Sequence, residues 1–156
     1  MKYDIPTMTA EAISLLKSLI SIPSLSREEG QAVDFLQQYI ETVGVQTGRK
    51  GNNVWCLSPK FDLKKPTILL NSHIDTVKAV HGWRRNPLIP REEKGKLYGL
   101  GSNDAGASVV TLLQVFLQLS RTSQKYNLIF LASCEEEISG KDGIESVLPG
   151  LPPITL

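Results

Sequence analysis

Apolar residues recur at helical spacing twice near the start of the chain. Ile13, Leu16, Leu19 and Ile20 follow the polar Thr7 and Thr9, and Pro23 closes the segment, which predicts a first helix. Ser26 and Glu29 have the Ser-x-x-Glu spacing of a capping box, and Val33, Leu36, Ile40 and Val43 form the stripe of a second helix that ends at Gly44. The pattern then changes to short apolar runs. Asn53–Leu57, bounded by Gly51 and Pro59, reads as a strand, and 67–71 as another with His73 just beyond its end. Pro87 and Pro90 forbid regular structure between Trp83 and Arg91, while Glu93-Lys94-Gly95-Lys96 looks like a tight turn ahead of a short strand at Leu97-Tyr98. Val109, Leu112, Leu113, Phe116 and Leu117 give a wide apolar stripe to a helix over 105–119. A buried strand at 128–132 follows, Ile138-Ser139-Gly140 breaks it, 143–148 suits a short helix, and 151–156 begins a further strand. This order of elements predicts a three-layer α/β domain with a mixed sheet.

Three of these strand or turn ends deliver acids or an imidazole. Residues i and i+2 of an extended chain project from the same face, so His73 and Asp75 can point into one cleft at the C-terminal end of their strand. Ligands bind at that end in open α/β sheets. Gly99-Leu100-Gly101-Ser102-Asn103-Asp104 is a glycine-rich turn ending in a carboxylate, and the strand over 128–132 runs into Glu135-Glu136-Glu137. Carboxylates driven together repel and their pKa values rise, a cost that a bound cation removes.

Composition narrows the alternatives. A chain of 156 residues with 41% apolar content is one domain's worth and can bury a core. Lysine and arginine number 17 against 16 acids, so no basic excess favours nucleic acid. No apolar run approaches the roughly 20 residues needed to span a bilayer. The start Met1-Lys2-Tyr3-Asp4-Ile5-Pro6 lacks the apolar core of a secretion signal, which leads us to expect a cytoplasmic protein without a membrane partner. Cys56 and Cys134 form no Cys-x-x-Cys unit and are expected to pack as small apolar side chains.

Four ordered motifs carry a family resemblance: His73-x-Asp75-Thr76-Val77; Gly82-Trp83 with Asn86-Pro87; Gly95-Lys96-Leu97-Tyr98-Gly99-x-Gly101-x-x-Asp104; and Glu135-Glu136-Glu137-x-Ser139-Gly140. Together they resemble the dinuclear zinc deacylases and peptidases that include acetylornithine deacetylase, succinyl-diaminopimelate desuccinylase and aminoacylase-1. The resemblance implies a phosphorylase/hydrolase-like catalytic domain, three-layer α/β/α, with a mixed and largely parallel sheet. It implies two zinc ions per site, with cobalt or manganese as possible substitutes. His73 would bind one zinc and Asp75 would orient its ring, Asp104 would bridge the metals, Glu136 would be the general base and Glu137 a ligand of the other zinc. Shifting the acidic motif by one residue would make Glu135 the base; the following Ile138-Ser139-Gly140 favours the first register. The resemblance also implies a cis peptide after Asp104. One departure is Asp104-Ala105-Gly106-Ala107 where the family often has Asp-Met-Lys-Gly.

By the same resemblance, residues 1–156 are the N-terminal part of a discontinuous metallohydrolase domain. The lid or dimerisation domain and the C-terminal part, with the remaining ligands, are absent, so the segment alone is expected to be nearly inactive. His81 reads as a loop residue, and Trp83, Arg84 and Arg85 as solvated side chains. Gly101-Ser102-Asn103-Asp104-Ala105-Gly106 looks most like acetylornithine deacetylases, which implies hydrolysis of N-acetylornithine in arginine biosynthesis by a full-length enzyme that dimerises through the missing domain. Desuccinylation of succinyl-diaminopimelate or succinylornithine, or an aminoacylase or dipeptidase activity, is the alternative. A non-catalytic α/β binding module is the alternative of a different class.

Overall fold

The computed structural model describes residues 3–156. Helix α1 (Ile5–Ile20) begins earlier than its apolar stripe, because the Asp4 carboxylate accepts the Thr7 N–H and Pro6 occupies the first turn, where a missing N–H costs nothing. Helix α2 (Gly30–Thr42) follows, and its expected capping box is not formed. Ser26 turns instead to Asp75, while Glu29 accepts the Arg27 N–H from within the loop.

Strands β1 (Thr47–Lys50) and β2 (Asn53–Leu57) form a hairpin that the apolar pattern did not predict, since β1 is polar. Its sequence signal is the two-residue Gly51-Asn52 turn, with Gly51 at φ 57°. Strand β3 (Thr67–His73) runs two residues further than expected, because its pairing with β6 (Asn127–Ser133) continues to His73 opposite Ser133. A second hairpin joins β4 (Arg91–Glu93) to β5 (Lys96–Tyr98) through Lys94 and Gly95, both at positive φ. Helix α3 (Gly106–Leu119) and the short α4 (Ile144–Val147) complete the chain.

The main sheet has the order β1-β2-β6-β3. It is mixed, as expected, but among the described residues β3 and β6 are its one parallel pair, a correction to the expectation of a largely parallel sheet. A two-residue turn dictates an antiparallel β1–β2 pair, whereas β3 reaches β6 through a crossover that includes α3. The tail 151–156 is not a strand. Its end nevertheless lies along β3: Thr155 N–H donates to Thr67 O at 2.8 Å and Leu69 N–H to Leu156 O at 2.8 Å.

One face of the sheet, with Val54, Cys56, Leu128, Phe130 and Ala132, shares a single core with Leu16, Leu36, Val109 and Leu113 of the three long helices. Phe116 packs tilted against Phe130, with ring centroids 6.4 Å apart. Cys56 and Cys134 are free and buried, and burial first of all pushes each thiol up to about 12. They are packing groups, as expected. Among the described residues no helix is long and apolar enough to cross a membrane.

Candidate metal centre

The C-terminal ends of β3 and β6 lie side by side because the two strands are parallel, so His73 and the acidic run after Ser133 emerge at one rim. The turn before α3 brings Asp104 to the same rim. One ligand atom from each of His73, Asp104 and Glu137 lies within 4.8 Å of the others. His73 Nε2 is 3.0 Å from Asp104 Oδ1 and 3.7 Å from Glu136 Oε2.

Asp75 organises this group from beneath. It is fully buried, and Ser26 Oγ donates to its Oδ2 at 2.6 Å. The N–H groups of Glu136 and Glu137 donate to Oδ1 and Oδ2, each at 3.1 Å. His73 Nδ1 faces both the Asp75 carbonyl at 3.1 Å and Asp75 Oδ1 at 3.4 Å, which leaves Nε2 to turn toward Asp104. Asp75 therefore orients the imidazole and also anchors the acidic turn. The sequence reading expected Asp75 beside His73 and did not foresee its contacts with the acidic turn.

Ser26 was invisible as a site residue because its partner is remote in sequence. It arrives because the loop after α1 runs beside 74–76, with Leu25 bridged to Thr76 and Thr76 N–H donating to Ser24 O at 2.8 Å. His81 lies exposed in a turn, as its reading as a loop residue expected.

The electrostatics follow from this geometry. The Asp75 hydrogen bond holds the His73 imidazolium against the opposing effect of burial, and with Asp104 raises its pKa to about 9. Burial pushes the Asp75 carboxyl up. The hydrogen bonds from His73, Ser26 and the two backbone amides outweigh it and hold the group at about 2. Glu137 is raised by burial and then by the neighbouring carboxylates, Asp104 first. A nearly buried imidazole, 11% exposed, thus sits among crowded acids whose outer members, Asp104 and Glu136, are 77% and 60% exposed. A hard or borderline divalent cation fits this donor set, since it takes the place of the proton on Nε2 and removes the repulsion at Glu137.

The turn that carries Asp104 is tightly packed. The Asp104–Ala105 peptide is cis, as expected from the resemblance. A Cβ on Gly106 would meet Gly101 O at 2.6 Å and Leu16 Cδ1 at 2.7 Å, so any side chain at this position would require the turn to shift.

A sequence profile of Peptidase family M20/M25/M40 matches residues 69–154, the segment that contains every rim residue described above. The chain belongs to peptidase family M20/M25/M40. Among curated relatives of this M20 chain, a succinyl-diaminopimelate desuccinylase of Sulfurovum sp. (strain NBC37-1) is 26% identical over 145 residues, covering 92% of the chain and 39% of that protein. An M20 domain-containing protein of Schizosaccharomyces pombe is 34% identical over 137 residues, covering 82% of the chain and 32% of that protein. The fold is shared with human carnosine dipeptidase 1, at TM-score 0.70 and 18% identity, over 94% of this chain and 36% of that one. It is shared also with the YXEP protein of Bacillus subtilis, described as a dinuclear metal binding peptidase, at TM-score 0.63 and 19% identity, over 94% of this chain and 40% of that one. The M20 chain thus spans 39% or less of the length of these two curated relatives.

Proposed function

We propose that residues 1–156 are the N-terminal part of a discontinuous catalytic domain in a metal-dependent amidohydrolase that cleaves the amide bond of a small N-acylated amino acid. The observation that carries this reading is the convergence of His73, Asp104 and Glu137 within 4.8 Å. His73 Nε2, Asp104 and Glu137 would hold the cations. The neighbour described as dinuclear supports two ions, and the donor set suits zinc without excluding cobalt or manganese. When bound, a pair of such ions supplies Lewis acidity toward a water and toward the amide carbonyl.

The remaining steps fall to the chain's own side chains. The exposed Glu136 carboxylate, 3.7 Å from His73 Nε2, accepts the proton from the attacking water and delivers it to the nitrogen of the departing amine. Glu136 can do this because its neighbour Glu137 takes the ligand role, which leaves the Glu136 oxygens free for protons. Asp75 keeps the His73 proton on Nδ1 and directs Nε2 to the metal.

For the acyl group, relatives at 24% to 29% identity that are named succinyl-diaminopimelate desuccinylases favour an N-succinyl amino acid. This puts the succinyl substrates ahead of N-acetylornithine, which the stretch from Gly101 to Gly106 favours, and with it ahead of a place in arginine biosynthesis. The longer relatives leave room for the remaining ligands and a dimer contact outside residues 1–156. The test is turnover by the metal-loaded full-length protein on N-succinyl-diaminopimelate, N-succinylornithine, N-acetylornithine and a dipeptide. Chelator-sensitive release of a free amine from a succinyl substrate is expected. No turnover of any of the four would overturn the amidohydrolase reading, and turnover of N-acetylornithine alone would overturn the succinyl preference.

A further inference from the structure

Four successive backbone amides at the tip of β6 are each bound by a side chain that arrives from elsewhere in the sequence. Cys134 N–H donates to Asn53 Oδ1 at 3.1 Å, Glu135 N–H to Glu29 Oε1 at 3.2 Å, and Glu136 and Glu137 N–H to the two oxygens of Asp75. Within this run Glu135 is in the left-handed region, at φ 54°, an uncommon conformation for a non-glycine residue. The reversal at Glu135 is what turns Glu136 and Glu137 toward His73 and Asp104.

Glu29 is the group that holds the reversal. It is fully buried, and among the described residues no cation pairs with it. Its Oε1 accepts both the Arg27 N–H at 2.8 Å and the Glu135 N–H, while Oε2 accepts Asn52 Nδ2 at 2.8 Å. A buried carboxylate that accepts from several neutral N–H donors ties those donors to one point, and here two of them are backbone amides of different loops. Glu29 and Asp75 therefore grip the acidic turn from its two ends, Glu29 at the reversal and Asp75 at the two residues that follow.

We propose that Glu29 is a positioning residue for the amidohydrolase site, acting through the Glu135 amide to set where Glu136 and Glu137 stand. This rests on the metal-site reading above. What matters in this role is the reach of the Oε1 acceptor. The charge does not, because an amide oxygen at the same place accepts the same two N–H groups and Asn52 can turn its own amide to match.

The experiment compares Glu29→Gln, which keeps reach and loses charge, with Glu29→Asp, which keeps charge and draws the acceptor back by one methylene. Both are made in the full-length protein and loaded with cobalt, and the d–d absorption band is read along with kcat and KM on the wild type's best substrate. Glu29→Gln is expected within about threefold of wild type in kcat, with an unchanged band. Glu29→Asp is expected to lose about 10- to 100-fold in kcat at little-changed KM, with a shifted or weakened band, as a displacement of about 1 Å near the chemistry would produce. A wild-type band and kcat in Glu29→Asp overturns the proposal, as does a Glu29→Gln as impaired as Glu29→Asp. If Glu29→Asp does not fold, amide exchange in Glu29→Gln decides: protection at Glu135 supports the proposal and its loss overturns it. If no substrate is turned over even by wild type, the function has failed while the cobalt band still tests the positioning.

Discussion

The Glu137 backbone N–H donates to Asp75 Oδ2 at 3.1 Å, so the buried aspartate that orients His73 also fixes the backbone of a candidate ligand on a different strand end. Two rim elements are thereby locked to one carboxylate, and a change at Asp75 should be felt by both.

Asp75→Asn is therefore expected to do more than disturb one histidine. The amide presents an NH2 where the structure needs an acceptor, and leaves the N–H of Glu136 or Glu137 without its partner. We expect metal affinity to fall about 10- to 100-fold. Stability should fall by about 1–3 kcal/mol. Calorimetric metal titration and urea unfolding of the chelated protein check the two effects, and loss of neither would mean that Asp75 holds neither element.

Exchange of roles between adjacent glutamates gives the sharpest test of the register. Glu136→Gln should abolish turnover, by at least about 100-fold, with full metal content, as expected for loss of a proton carrier. Glu137→Gln should instead lose metal. Elemental analysis of both variants decides, and metal loss in the first would reassign Glu136 as a ligand.

The pH dependence of the metal-free protein follows from His73 and Asp75. His73 is raised from 6.5 to about 9, so its stabilisation is complete below pH 6.5 and is lost as pH rises toward 9. Asp75 is lowered from 3.8 to about 2, so its share is present above pH 3.8 and is lost as pH falls toward 2. Urea midpoints of the chelated protein should accordingly decline between pH 6.5 and 9. Metal uptake at pH 7 should release the His73 proton, which calorimetry in buffers of different ionisation enthalpy would detect.

Gly140 closes the acidic turn against Glu135. A Cβ there would fall 1.7 Å from Glu135 Oε2 and 2.6 Å from Glu135 Cβ, and its N–H donates to Glu135 O at 2.9 Å. Gly140→Ala should shift the turn, at a cost of about 1–3 kcal/mol. Turnover should fall more than the substrate KM rises. Wild-type unfolding midpoints and kcat would show that the turn yields without consequence.

Much of the fold was legible because periodicity reports burial. The stripes of α1, α2 and α3 and the apolar runs of β2 and β6 are there because one side of each faces the shared core. β1 and β4 escaped that reading: they are polar, buried at no position, and held by ladder hydrogen bonds and turn geometry that leave no apolar pattern. Ser26 and Glu29 were misread for a related reason. Their spacing matches a local capping motif, but the buried partners that claim them, Asp75 and the Glu135 amide, are 49 and 106 residues away.

From its sequence alone this chain could be given its α/β class, its family resemblance and the residue types of the rim, since His73, Asp104 and Glu137 occur in motifs whose chemistry is local. The parallel pairing of β3 with β6 decided that those residues meet, and long-range hydrogen bonds decided how they are held. Spacing along a chain encodes which face a side chain takes within its own element. Which remote carboxylate accepts a given backbone amide depends on how the elements pack, and that exists only once the chain has folded.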